Sequence, residues 1–219
     1  MIIGAKARVL IFAAIGLMML GGCESERRAT ESKGKAPALV LIDLQRSFLA
    51  SEGARPVAQN EVDPMVKAVN AMIDAARKDV VPVIYFKDEF SRFQFIGNMA
   101  RDDAALRYEP GSAFDPRIDD AAGIYLTKQC PDGFSNPYFE SHLKAITAGR
   151  IVVAGVYADS SVLETAKSAI GRGYGVTIIS DAVAAESDAT RDAALKQLKE
   201  AGAQIQTSQE FIASLGTGA

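Results

Sequence analysis

The chain has 219 residues, 48% apolar and 23% charged, a balance that excludes disorder over most of its length and allows one packed core. With 24 Lys and Arg against 27 Asp and Glu, the formal net charge is -3, so nucleic acid is not an expected partner. The single histidine, His142, lies in a helix-like stretch and reads as a surface residue; a histidine-based metal site or a Ser-His-Asp triad lacks material, and neither metal nor cofactor is expected.

In chain order, Lys6 and Arg8 precede the apolar run Val9 to Leu20. That run is shorter than the roughly 20 residues needed to span a bilayer core, so it reads as the h-region of a signal peptide. It ends in Leu20-Gly21-Gly22-Cys23, which resembles the bacterial lipobox, whose cysteine is lipidated and becomes the first residue after cleavage. The expectation is a signal peptide over 1–22 and a lipid on Cys23; the alternatives are a transmembrane anchor or a secretory signal with an incidental cysteine. Glu24 after the cysteine resembles outer-membrane sorting, placing the protein lipid-anchored in the cell envelope and facing the periplasm. Residues 23–37 are polar and charged without apolar periodicity, as in a disordered tether. Only Cys130 then remains, so the mature chain has no internal disulfide.

From Ala38 onward, short apolar runs alternate with amphipathic stretches, the pattern of β-α-β units. Ala38 to Ile42, Pro82 to Phe86, Ile124 to Thr127, Ile151 to Val156 and Val176 to Ser180 read as buried strands, with a weaker sixth at Gln204 to Thr207. Helices are expected from Pro64, capped by Asp63 and carrying the stripe Met65, Val66, Val69, Met72, Ile73 and Ala76, then over Ser161 to Arg172 and Ala189 to Ala201. The fold class is α/β, a three-layer α/β/α domain over 38–215 with a mainly parallel sheet of about six strands. Asp43, Lys128 and the group Asp159 to Ser161 each follow a strand, where open parallel sheets bind ligands, so they are expected on one rim. Asp181 also leaves a strand but reads as structural.

Three motifs in order then carry a resemblance to the isochorismatase-like (cysteine hydrolase) superfamily, covering Ala38 to about Leu215. Leu41-Ile42-Asp43-Leu44-Gln45-Arg46-Ser47-Phe48 is similar to Asp-x-Gln-x-Asp-Phe, with Ser47 in place of the second Asp. Thr127-Lys128-Gln129-Cys130-Pro131-Asp132-Gly133-Phe134 is similar to the family's lysine motif. Gly155-Val156-Tyr157-Ala158-Asp159-Ser160-Ser161-Val162 is similar to Gly-Val-x-Thr-Asp-x-Cys-Val, with Ala158 for Thr and Ser161 for Cys. The resemblance implies Asp43 as catalytic acid/base, Lys128 as catalytic lysine, Ser161 at the nucleophile position, and backbone N–H groups of Tyr157 and Ser161 as an oxyanion hole. It also implies a cis peptide bond at Val156-Tyr157, a pocket drawing on Gln45, Phe48, Cys130, Phe134 and Asp159, and a homodimer or higher homo-oligomer.

Serine alters the chemistry, because its hydroxyl is a far weaker acid than a thiol and normally needs an adjacent base. Asp43 is a poor base, and Lys128 could serve if desolvated. Ser161-Val-Leu-Glu164 also fits a capping box, in which case Ser161 only starts a helix. Isochorismatases proper act on a vinyl ether and need no nucleophile there, but they usually carry His where this chain has Asp159. Cys130 reads as a buried apolar filler or a displaced nucleophile, and Phe90, Phe93 and Phe95 as pocket lining or a subunit contact. The expected function is a hydrolase of a small molecule, cutting an amide C–N or vinyl ether bond. The alternatives are a binding lipoprotein that keeps the pocket without turnover and a purely structural envelope lipoprotein, which the retained acid and lysine argue against.

Overall fold

The structure, a computed structural model, describes residues 36–216; the signal-peptide, Cys23 and most of the tether expectations lie outside them. Strands β1 (Pro37–Ile42), β2 (Val83–Asp88), β3 (Ile124–Lys128), β4 (Arg150–Val156), β5 (Gly175–Ala184) and β6 (Gln204–Gln206) form one sheet in the order β3-β2-β1-β4-β5-β6. Every strand pair is parallel. The six expected strands are present; β2 runs further than its apolar run because Lys87 and Asp88 stay in register with β3, and β5 runs further because Val183 and Ala184 pair with β4 again after a register shift.

Because successive side chains of a strand point to opposite faces, β1 supplies two cores. Leu39 and Leu41 pack with Met65, Val69, Met72 and Ile73 of helix α2 (Gln59–Lys78) and with Phe211 of α7 (Ser208–Leu215). Ala38, Val40 and Ile42 pack on the other face with Phe139 and Leu143 of α4 (Pro137–Ala145), Leu163 and Ala166 of α5 (Leu163–Gly171), and Leu198 of α6 (Asp188–Glu200). Two short helices, α1 (Arg46–Leu49) and α3 (Phe95–Ala100), sit in the connections after β1 and β2. The three-layer α/β/α expectation holds, and strand order reverses between β1 and β4, where such sheets open a crevice.

Helix α2 starts at Gln59, not at Pro64. Burial of Val62 against the core favours the extra turn, even though Pro64 there forfeits the bond its N–H would have made to the Asn60 carbonyl and crowds that carbonyl with its ring. Asp63 caps nothing and instead meets Arg117 Nη1 at 2.9 Å. Helix α5 starts at Leu163 after a wide turn, Ala158–Val162, so the capping box at Ser161 and Glu164 does not form. A complete capping box stands instead at Thr207 and Glu210, opening α7. Asp181 is structural as expected, accepting from Ser208 N at 2.7 Å and Ser208 Oγ at 2.6 Å.

Candidate active site

Strand register builds the centre of the site. Asp88 and Lys128, the last residues of β2 and β3, are register partners on neighbouring strands. Asp43 is the first residue past β1 and turns at φ 54, a left-handed conformation that a short polar residue tolerates at a cost of about 1–2 kcal/mol. Its N–H is anchored to the Phe86 carbonyl at 2.9 Å. At the switch point, Gly155 of β4 lies opposite Ile42 at φ +127, so β1 and β4 approach closely just before Asp43 and Tyr157. The Val156-Tyr157 peptide bond is cis, as the resemblance implied.

Lys128 reaches across β2 toward β1, and its Nζ lies 2.6 Å from Asp43 Oδ2, 2.6 Å from Asp88 Oδ1 and 3.0 Å from Ser161 Oγ. An ammonium has three protons to donate, and all three are engaged. Its side chain is fully buried. Burial alone would pull the lysine's pKa down, but Asp43 and Asp88 outweigh it and hold Lys128 above its ordinary value. With its three donors all engaged by oxygens, Lys128 is placed as a hydrogen-bond donor to the acids and to Ser161, not as a free amine beside the serine.

The carboxyls respond in the opposite direction. Burial raises the pKa of Asp43, against the opposing pull of Lys128 and of hydrogen bonds from Lys128 and the Ser161 hydroxyl. Burial and the neighbouring Asp43 charge push Asp88 up to about 7. Two carboxyls thus compete for one cation, and Asp43 is a stronger base than an exposed carboxylate. Asp43 Oδ1 is buried without a hydrogen-bond partner.

A cavity of about 190 Å³ opens onto this centre, lined by Asp43, Phe48, Asp88, Arg101, Tyr157 and Ser161 among others. Cys130 also lines it and is exposed, so it is not the buried filler considered from sequence. Tyr157 is steadied by its hydroxyl donating to the Arg55 carbonyl and by an edge-to-face contact with Phe48 at 5.6 Å.

Three expected lining residues lie elsewhere. Gln45 sits behind the site: its Oε1 accepts from Asp88 N at 2.7 Å, and its Nε2 donates to Asp88 O at 2.8 Å and Ser112 O at 2.9 Å. That clamp fixes the backbone of Asp88. Phe134 turns away because Gly133 N is tied to Thr165 Oγ1 at 2.9 Å, and it packs tilted against Phe139 and beneath Arg172. Asp159 points to solvent because the turn over 158–162 buries Ala158, Ser161 and Val162 instead. Ser47 likewise faces away, accepting from Ala105 N at 3.1 Å. Of the three phenylalanines, Phe90 is buried on the cavity wall, whereas Phe93 and Phe95 are 85% and 71% exposed.

Sequence reading missed Asp88 and Arg101. Asp88 had a usable signal, since it leaves a strand as Asp43 does, but Lys87 interrupts the apolar run and hides the strand's true end. Arg101 had none, lying in a connection without periodicity.

Comparison with known proteins completes the description. Residues 37–210 match the sequence profile of the isochorismatase domain. The chain is similar to an uncharacterized isochorismatase family protein, YaaI, of Bacillus subtilis (strain 168), 25% identical over 177 residues that cover 80% of this chain and 96% of that one. Among solved structures, it resembles a cysteine hydrolase from Pseudomonas syringae pv. phaseolicola 1448A, with TM-score 0.74, 20% identity, and 84% and 93% of the two chains covered. It also resembles an N-carbamoylsarcosine amidase from Thermoplasma acidophilum, with TM-score 0.67, 26% identity, and 79% and 96% covered.

Proposed function

The chain belongs to the isochorismatase domain family, and from that premise we propose that it hydrolyses a small amide with Ser161 as nucleophile, Asp43 as proton carrier and Lys128 as electrostatic support. The observation that carries this is the single buried ammonium holding Asp43 Oδ2 and Ser161 Oγ together beside a cavity that both residues line. The name of the amidase neighbour favours an amide over a vinyl ether as substrate.

The chemistry follows from who donates to whom. Lys128 donates both to Ser161 Oγ and to Asp43 Oδ2, which brings the hydroxyl and the carboxylate together on one cation. On attack, Oγ bonds to the amide carbon while its proton passes to Asp43, and the nearby ammonium stabilises charge growing on Oγ. The N–H groups of Tyr157 and Ser161 receive the oxyanion of the tetrahedral intermediate. Its collapse breaks the C–N bond as Asp43 returns the proton to nitrogen; a water then attacks the acyl-serine ester as Asp43 takes its proton, and the C–Oγ bond breaks as Asp43 gives that proton to Ser161 Oγ, releasing the acid.

Ammonia release from a panel of small primary amides tests the scheme. Asp43→Asn and Ser161→Ala are each expected to lower kcat by roughly 10²- to 10⁴-fold. Activity surviving Asp43→Asn removes the proposal. If the wild type is inert but Ser161→Cys gains amidase activity, the protein is instead a binding module with an intact pocket.

The same reading places the hydrolase on a membrane through lipid on Cys23, in the cell envelope and facing the periplasm. Metabolic labelling with an alkynyl fatty acid is expected to mark the full chain and to fail for Cys23→Ala; equal labelling of both rules the anchor out.

A further inference from the structure

Arg101 is built into the cavity wall, near enough to Asp88 for its charge to act on that carboxyl but, among the described residues, with no carboxylate at salt-bridge distance. Its guanidinium carbon lies 3.6 Å above the Phe90 ring, and its Nη2 donates to Asn98 Oδ1 at 2.8 Å and Gln94 Oε1 at 3.2 Å. Both amides are aimed by other bonds: Asn98 Nδ2 donates to Ser91 O at 2.9 Å, and Gln94 Nε2 to Gln129 Oε1 at 3.0 Å. Their oxygens consequently have to face the guanidinium. Gly97 makes room for it, since a Cβ there would stand 2.9 Å from Arg101 Nη1.

Among the described residues, no carboxylate forms an ion pair with Arg101, and its Nε is buried without a partner. Arg55, the other arginine on the wall, is occupied by Glu186 at 3.2 Å and Asp102 at 4.0 Å. A guanidinium held on an aromatic face with neutral acceptors behind it suits a planar carboxylate.

We infer that the substrate carries a carboxylate which Arg101 binds while its scissile group lies at Ser161, an inference that rests on the hydrolase reading of the Asp43, Lys128 and Ser161 centre. Fixing Arg101 in advance removes much of the ordering cost of that contact. A dianionic group would be disfavoured by the nearby Asp43 and Asp88 carboxyls.

The test uses a matched pair, succinamate and its neutral counterpart succinamide, titrated calorimetrically into the full-length protein in detergent. Succinamate is expected to bind at least tenfold more tightly than succinamide. Arg101→Gln should erase the preference while leaving succinamide affinity within twofold, and Arg101→Lys, which keeps a cation over Phe90, should retain part of it. Equal affinity for the pair, no affinity for either, or a preference that survives Arg101→Gln overturns the inference. Asp43-dependent hydrolysis of succinamide without any succinamate preference would remove this inference and leave the hydrolase intact. An Arg101-dependent preference with no turnover would do the opposite.

Discussion

Replacing Lys128 with methionine is expected to abolish turnover and to destabilise the protein far more at pH 8 than at pH 5. The methionine fills a similar volume but leaves Asp43 and Asp88 buried without their shared cation. Removing one partner of a buried ion pair typically costs about 3–5 kcal/mol, because the surviving charge is uncompensated. The carboxyls can escape that cost only by taking up protons, which fixes the sign of the pH dependence. In the wild type both are already raised, Asp88 to about 7. A raised group gives its full stabilisation below its unfolded pKa, about 3.9 for Asp, and loses it as pH climbs through the folded value. Wild-type stability should therefore decline between about pH 4 and pH 7. Without Lys128 both folded values rise further, so the decline steepens and extends past neutrality. Urea unfolding at pH 5, 7 and 8 checks this, and a pH-independent loss would show that the ammonium does not balance these carboxyls.

Gly155→Ala should be the most damaging single-methyl change in the described fold. A Cβ at that position would stand 2.0 Å from the Ile42 carbonyl oxygen and 2.7 Å from the Ile42 nitrogen, both backbone atoms that cannot swing aside. The backbone at φ +127 is also one that side chains avoid. The expected cost is about 4 kcal/mol or more, at the extreme of point substitutions. Any protein that still folds must part β1 from β4 and displace Asp43 from Lys128, so activity should vanish with it. Gly171→Ala is the matched control: it ends α5, a Cβ there meets nothing within 4 Å, and it should be neutral or stabilising by up to about 1 kcal/mol. Soluble yield and melting temperature separate the two, and equal behaviour would mean the β1 to β4 approach is not as tight as described.

These two residues mark what the sequence made legible and what it did not. The strands were readable because a sheet covered on both faces needs uninterrupted apolar runs, and residues leaving such runs share a rim by topology alone. That placed Asp43, Lys128 and Ser161 on one edge before any coordinates. Asp88 escaped because one lysine interrupts its run, although its carboxyl shares the Lys128 ammonium with Asp43. Gln45 was legible as a motif residue but not as a clamp, since its amide acts on the backbone of a strand 43 positions away. Ser161 and Glu164 fit a capping box as well as Thr207 and Glu210 do; only the wide turn over 158–162, set by tertiary packing, separates them. Arg101 is invisible to periodicity because its neighbours in space, Phe90, Asn98 and Gln94, are gathered by a loop rather than by a repeating element.

The parallel sheet also gives the molecule a front and a back. Asp43 follows the last residue of β1, whereas Pro37 begins that strand, and six extended residues separate the two by about 20 Å. The described chain therefore begins at the rear, and a surface coupled directly at Pro37 would meet the blind side and leave the entrance open to diffusing molecules.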